Sequence, residues 1–596
     1  MRLQVSKSPN AASYYVVESI RKDGVSTSRI VEKLGTLKNL TERFGESDPE
    51  GEARVYVKEL TREKEEGRKT VIKKYRTNEQ VEKDKQIKYN GGYLFLQKIY
   101  HELGLHKICK EVTKRHKFRY DLDGVLSRLL YSRMLYPSSK LKSYELSKNF
   151  IEQPTFKLEH IYRGLDVLCE EMEFIQSEVY KNSKKTYGRN NQILYYDCTN
   201  YFFEIEEADG LKQYGKSKEH RPTPLVQMGF FMDGDEIPLA FNITPGNQNE
   251  QVTLKPLEKQ IMKDFEMSKF VVCTDAGLAS SANRKFNDKH DRSFITTQSV
   301  KKLKKTLKDW ALEPTGWKLE GTDDTFDISE LVNPEIPDDD PKAQKRIQKM
   351  FDAYMDKTFY KERWINEDGL SQKLIITFSL KYKMYQIRIR NNQIERAKKL
   401  MSTPSKLKKK GQTDVKRFIK TTTVTTDGEV AEKKRYSLDM DVIAEEMKFD
   451  GFYGVCTNLD DDASLIIDTN HKRWKIEECF RIMKTEFEAR PIYLSRENRI
   501  KAHFLTCFLA LLIYKYLEKK LKADEEIYME DEDDDLFTCS KILDQLRNME
   551  FLDLGNDEYF PLYTRNDFTD ALHDIFGFRT DYECTEMKNI FKLTKS

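Results

Sequence analysis

NQILYYDCTNYFFEIE (191–206), LVQMGFFMDGDEIPLAFNITPG (225–246) and KFVVCTDAG (269–277) decide the fold. All three runs are rich in β-branched and aromatic residues and read as strands. Asp-Gly inside the second run marks a tight hairpin. NEQVTLKPLEKQIMKDF (249–265), between the second and third, suits a helix. The order strand, strand, strand, helix, strand predicts a mixed α/β sheet rather than a sandwich.

Two of these runs carry an acid where a strand disfavours one. Asp197 lies in LYYDCTNYF and Asp275 closes VVCTDAG. A carboxylate taken out of water is costly without a partner, so two on neighbouring strands of one sheet point to a site. A third comes from HKRWKIEECFRIMKTEFEA (471–489), which reads as one helix. At about 100° per residue, Asn470, Arg473, Glu477, Arg481 and Lys484 share a polar face. Ile476, Cys479, Phe480, Met483 and Phe487 form the adjoining apolar stripe. Glu477 can thus point at the sheet edge while its helix packs on the sheet. Taken alone, Arg473–Glu477 and Glu477–Arg481 would be ordinary surface pairs.

The combination is what suggests chemistry. Hard carboxylate oxygens suit Mg²⁺ or Mn²⁺, and two ions about 3.5–4 Å apart can hold both the attacking and the leaving oxygen of a phosphodiester. Arg473 and Lys484 are then placed to bind flanking phosphates. KSKEHRPTPL (216–225) offers Lys218, His220 and Arg221 as further DNA contacts. Trp474 is read as a core anchor of its helix. The glycine motifs lack phosphate-loop spacing, so no ATP site is expected.

RWKIEECFRIMK (473–484) resembles the DDE transposases of bacterial insertion sequences, in the group carrying a Tyr-x2-Arg-x3-Glu-x6-Lys signature. Arg473, Glu477 and Lys484 stand at its offsets, and Asn470 replaces the signature Tyr, keeping a polar group for phosphate while losing the ring. GNQNE (246–250), YSRMLYPSSK (131–140) and YYVVESIRKDGVSTSRIVEKLG (14–35) are also similar to that family. The resemblance implies an RNase H-like mixed sheet flanked by helices, with the first Asp on the first strand, the second after the fourth, and the Glu on a helix beyond a β-rich insertion. It also implies cleavage at element ends and strand transfer into target DNA. Terminal inverted repeats and target DNA would be the partners, a homodimer the synaptic form, and Mg²⁺ or Mn²⁺, as two ions, the cofactor. A nuclease of the same fold and an inactive transposase-derived DNA-binding protein are the alternatives.

Working outward, the expected regions are a β-hairpin module (1–45), a charged linker or exposed helix (46–90), and a mainly helical DNA-binding region (91–190). The first catalytic part (191–300), an insertion domain (301–448), the second catalytic part with the Glu helix (449–521) and an acidic loop with a C-terminal region (522–596) follow. The chain of 596 residues is 38% hydrophobic and 34% charged with a net charge of only +3. Basic runs at 301–308 and 406–420 and an acidic run at 524–536 show that the charge is unevenly spread, which supports a polyanion partner. Nine dispersed cysteines argue against disulfides or structural zinc. The apolar run 504–514 is shorter than the roughly 18 residues that span a bilayer, so no membrane partner is expected. A reducing cytoplasm, at the bacterial nucleoid, is the expected location.

Overall fold

The computed structural model describes the chain except residues 9–10, 23–24, 46–47, 67–72, 74–76, 79, 81, 323, 335–340, 403–414, 425–432 and 524–537. The acidic run 524–536, most of the basic run 406–420 and the tip of the first hairpin lie outside the described residues. The chain divides into two compact units, Met1–Lys85 and Gln86–Ser596.

In the first unit, β1 (Arg2–Ser8), β2 (Ala11–Lys22) and β3 (Val25–Thr36) form an antiparallel sheet. Helices α1 (Leu37–Phe44) and α2 (Pro49–Glu66) follow. The charged stretch read as a linker or exposed helix thus supplies α2. Its Ala53 and Val57 bury with Tyr14, Val16, Leu34 and Leu40, so two small apolar positions among many charges suffice to dock it.

The second unit opens with a short strand β4 (Lys88–Asn90) and six helices. These are α3 (Tyr93–Glu102), α4 (Leu105–His116), α5 (Leu122–Leu135), α6 (Lys140–Ser147), α7 (Leu158–Glu170) and α8 (Met172–Tyr187). Then come β5 (Ile193–Phe202), β6 (Leu225–Asp233), β7 (Pro238–Pro245), α9 (Leu254–Asp264), β8 (Phe270–Thr274), α10 (Ser281–Asn287) and β9 (Arg292–Gln298). β5, β6 and β7 form an antiparallel meander, while β8 and β9 run parallel to β5. The spatial order β7-β6-β5-β8-β9 is the RNase H-like arrangement. Parallel neighbours require crossovers, and α9 and α10 supply them.

Burial on both faces explains why these strands read as continuous apolar runs. Tyr195, Tyr201, Phe230 and Cys273 pack into the large core on one face. Leu194, Tyr196, Cys198, Phe231 and Val272 pack against α9 on the other.

The insertion brings α11 (Lys305–Leu312), β10 (Trp317–Leu319), β11 (Thr325–Phe326), α12 (Ser329–Val332), α13 (Pro341–Tyr354), β12 (Thr358–Glu367) and β13 (Leu370–Ser379). α14 (Leu380–Met401), β14 (Ile419–Val424), β15 (Lys433–Leu438) and α15 (Met440–Met447) complete it. The run LIITFSLKY (374–382) is strand up to Ser379 and turns helical at Leu380, where Ser379 caps α14 by accepting from the Tyr382 amide. β16 (Phe452–Thr457) then pairs antiparallel with both β9 and β13. The insertion therefore lengthens the central sheet to ten strands, β11-β10-β12-β13-β16-β9-β8-β5-β6-β7.

The Glu helix is not one helix. α16 (Ala463–His471) ends before Lys472, α17 (Trp474–Arg481) restarts after a tight turn, and a π-helical turn (Ile482–Glu486) follows. α18 (Glu497–Lys522) is long and apolar enough to cross a membrane by length and composition, and here it is buried along its length against α3, α5, α7 and β7.

Candidate active site

Strand parity places the two aspartates. Side chains alternate across a strand, so Asp197 points to the same face as Tyr195 and Tyr201, the face on which α17 packs. In the parallel pair β5–β8 the last partners are Tyr196 and Thr274. Asp197 is the next residue of β5 and Asp275 the first residue beyond β8, in step with Cys273, whose side chain faces that same side. The Asp197 Oδ1 accepts the Cys198 amide at 2.7 Å, and the Asp275 Oδ1 accepts the Leu278 amide at 3.0 Å. Burial pushes the Asp197 carboxyl up to about 6, against the pull of Lys218, and Asp275 adds to the rise. That is a buried acid short of positive charge.

α17 brings Arg473 and Glu477 over this face. Burial works against the Arg473 charge, yet Tyr453, Cys273, Asp197 and Asp275 hold its pKa above the ordinary value. Its Nε is buried with no hydrogen-bond partner. Glu477 lies 3.7 Å from Arg473 Nη1, and its side chain is 63% exposed. It is thus turned onto the arginine rather than closed onto the aspartates. Among the described residues, the one group of three acid, His or Cys side chains whose ligand atoms all lie within 4.8 Å is elsewhere, at Asp570, His573 and Asp581.

Lys484, in the π-helical turn, donates to Thr199 Oγ1 at 2.7 Å and lies 3.6 Å from Glu219. Burial, then repulsion from Lys218, pulls its pKa down to about 8. Lys218 donates to the Cys198 carbonyl, one residue past Asp197. The loop bearing Lys218 is held against the sheet by a close backbone approach. A Cβ at Gly246 would lie 2.2 Å from the Leu225 carbonyl and 2.5 Å from that of Gln213, so only glycine fits the first position of GNQNE.

Asp197, Asp275, Arg473, Lys484 and Lys218 are therefore coupled at one end of the sheet, and Glu477 is linked to them through Arg473. The other sequence candidates have partners of their own. Arg481 is 66% exposed and pairs with Glu478, because the wheel position it shares with Glu477 points to solvent here. Arg221 stacks over Phe202, and His220 sits in the left-handed region at φ 58° within the loop. Asn470 belongs to α16, not to the Glu helix. It is buried, and its Nδ2 donates to the Tyr453 hydroxyl at 3.2 Å.

Trp474, expected in the core, is 55% exposed, because the turn before α17 rotates it outward. It joins Tyr382, Tyr385, Tyr453, Asn470 and Arg473 in lining an aromatic cleft of about 500 Å³. Sequence reasoning missed Tyr453, which connects this cleft to the site, and Thr199, on the sheet itself. Tyr453 bonds Thr297 Oγ1 at 2.6 Å and faces Arg473. Thr199 anchors Lys484 and stands two residues from Asp197, so period-two counting along β5 would have found it.

The family model described as the transposase DDE domain matches residues 168–513, more than half of the chain. No curated protein matches the chain. Among solved structures the chain is similar to a piggyBac transposase in a synaptic complex with hairpin DNA, at 9% identity over 84% of each chain with a TM-score of 0.34. It is also similar to the Mos1 transposase in a paired-end complex with the left transposon end, at 11% identity over 42% of this chain and 68% of that one, with a TM-score of 0.13.

Proposed function

The chain belongs to the family of the transposase DDE domain, and on that premise we propose that it cuts DNA at the ends of a mobile element and joins those ends to target DNA through Asp197, Asp275 and Glu477. The observation that carries the reading is the coupling of Asp197 and Asp275 at matched positions on adjacent parallel strands, facing the helix that bears Glu477.

The donor set fits Mg²⁺ or Mn²⁺: three hard carboxylate oxygens, of which the buried Asp197 lacks compensating charge. Asp197 and Asp275 would hold such ions from the sheet and Glu477 from α17. Bound there as a pair, they supply activation of the attacking oxygen and neutralisation of the leaving one. To help hold them, Glu477 would leave Arg473, whose guanidinium would then be available to a phosphate. Lys484, steadied by Thr199, and Lys218 neutralise phosphates on the other side. No covalent protein intermediate is needed, since hydrolysis and strand transfer are both in-line displacements.

The element we propose is a bacterial insertion sequence with inverted terminal repeats. Residues 91–190 and parts of 301–448 would read those repeats in a homodimeric synaptic complex. The test is a plasmid carrying the element ends, incubated with Mg²⁺ and target DNA. Asp197→Asn, Asp275→Asn and Glu477→Gln should each yield neither cut nor joined products while still shifting end DNA in a gel. Retained cleavage by any one of them refutes the assignment, and cutting without joining by the wild type reduces the protein to a nuclease.

A further inference from the structure

YSRMLYPSSK (131–140) has no part in the site described so far, yet it buries two cations with no carboxylate paired to them among the described residues. Arg133, late in α5, is 3% exposed, and Lys140, opening α6, is 5% exposed. Arg133 donates only to carbonyls, those of Phe487 at 2.9 Å, Glu488 at 3.4 Å and Ser138 at 2.9 Å. Its Nε is buried with no hydrogen-bond partner. Lys140 reaches one neutral oxygen, Thr506 Oγ1, at 3.5 Å. Among the described residues, neither cation has an ion pair within 4.0 Å. Burial first, and then Arg133, pull the Lys140 ammonium down to about 7.

Both cations line a cavity of about 150 Å³, with the Ser138 and Ser139 backbone and hydroxyls beside them. Glu488 is the one acidic residue in that lining. A buried cation without an anion costs several kcal/mol, so two together call for an external partner. The cavity also borders the candidate active site. Arg490 lines it and pairs with Glu219, the same carboxylate that faces Lys484.

We propose that the cavity formed by Arg133, Ser138, Ser139, Lys140 and Arg490 binds a phosphoryl oxyanion, namely a backbone phosphate of DNA lying beyond the cleaved position. Arg133 and Lys140 supply the charge, and the Ser139 hydroxyl, whose oxygen accepts the Lys142 amide at 3.3 Å, donates to a remaining oxygen, while the Ser138 hydroxyl donates to the Tyr136 carbonyl at 3.1 Å. Assigning the oxyanion to DNA rests on the transposase reading; the preference of the cavity for phosphate does not.

The test uses the full chain and two probes, inorganic phosphate at low millimolar concentration and a random-sequence duplex. Phosphate should raise the unfolding temperature of the wild type saturably relative to chloride at equal ionic strength. Lys140→Met should lose that response and, with a buried charge removed, melt higher than the wild type in chloride. Lys140→Arg should keep the response. In duplex binding across a salt series, Lys140→Met should bind about tenfold more weakly, with a slope of log affinity against log salt smaller by about one. Loss of the phosphate response with unchanged duplex binding assigns the site to free phosphate. A wild type that binds no duplex removes the transposase reading and leaves the phosphate arm to judge the cavity. A wild type indifferent to phosphate, or a folded Lys140→Met that responds as the wild type does, overturns the proposal.

Discussion

Two acidic clusters in this molecule look alike on paper and differ in physics. Asp570, His573 and Asp581 are the tighter group, with ligand atoms all within 4.8 Å. Both carboxylates and the imidazole Nε2 are already partnered. Arg579 lies 2.6 Å from both Asp570 and Asp581, Arg565 lies 2.7 Å from Asp570, and His573 Nε2 lies 2.9 Å from Thr580 Oγ1. Hydrogen bonds from Arg565 and Arg579 hold Asp570 below the usual carboxylate range, and Arg579 does the same for Asp581 in spite of its burial. At Asp197 the balance runs the other way, with burial and Asp275 outweighing Lys218 and Arg473. Closeness of acids is common in folded proteins; acids left short of counter-charge are what mark a candidate functional site.

The contrast breaks most decisively in catalysis. Asp197→Asn or Glu477→Gln should lower single-turnover cleavage of end-containing plasmid by at least about a thousandfold, and Asp581→Asn by less than about twofold. A large loss in Asp581→Asn would merge the two clusters. The next effect is on pH. Asp197 is charged only above about 6 and Lys484 only below about 8 in the free protein, so cleavage should rise to a plateau between them. The acid limb should fall about tenfold per unit, and Lys484→Arg should extend the plateau on the alkaline side.

Stability should then separate the clusters by sign. The folded pKa of Asp197 lies above its ordinary 3.8, so the wild type loses stability as pH rises from 3.8 to about 6. Asp197→Asn should therefore stabilise the metal-free protein at pH 7 by on the order of 2 kcal/mol. Asp581 is depressed below 3.8, so its contribution is present above that value and is lost as pH falls through the folded pKa. Asp581→Asn should cost about 1–2 kcal/mol at pH 7. Chemical unfolding of both variants checks this, and equal signs would sink the comparison. The smallest effect is the response to Mg²⁺, worth about 1.4 kcal/mol at ten times its Kd. Wild type and Asp581→Asn should show it in thermal unfolding, and Asp197→Asn should not.

Much of the central sheet was legible in the sequence. β5, β6 and β8 are buried on both faces, so their apolar runs stand out, and an Asp within or just beyond such a run is conspicuous. The apolar stripe of Ile476, Cys479, Phe480, Met483 and Phe487 is wholly buried, as its spacing predicts. What escaped were features set by distant contacts. Pairing of β16 with β9 joins residues 452–457 to 292–298 and extends the sheet into the insertion, and no local pattern encodes that choice. The turn at Lys472–Arg473 interrupts a stretch whose period is helical throughout, and it moves Asn470 to another helix and Trp474 to the surface.

Motif spacing in the sequence identifies the family, and local periodicity, with residue types that a strand or helix face tolerates poorly, identifies the buried strands of the central sheet and the residues that could carry the chemistry. How those residues are charged and partnered emerges only in the fold: Asp197 is short of positive charge, Glu477 leans on Arg473, Arg579 silences a tighter acidic cluster, and Arg133 and Lys140 are buried without an anion among the described residues. Electrostatic compensation depends on burial and on groups hundreds of residues away, and these come into being only when the chain closes on itself.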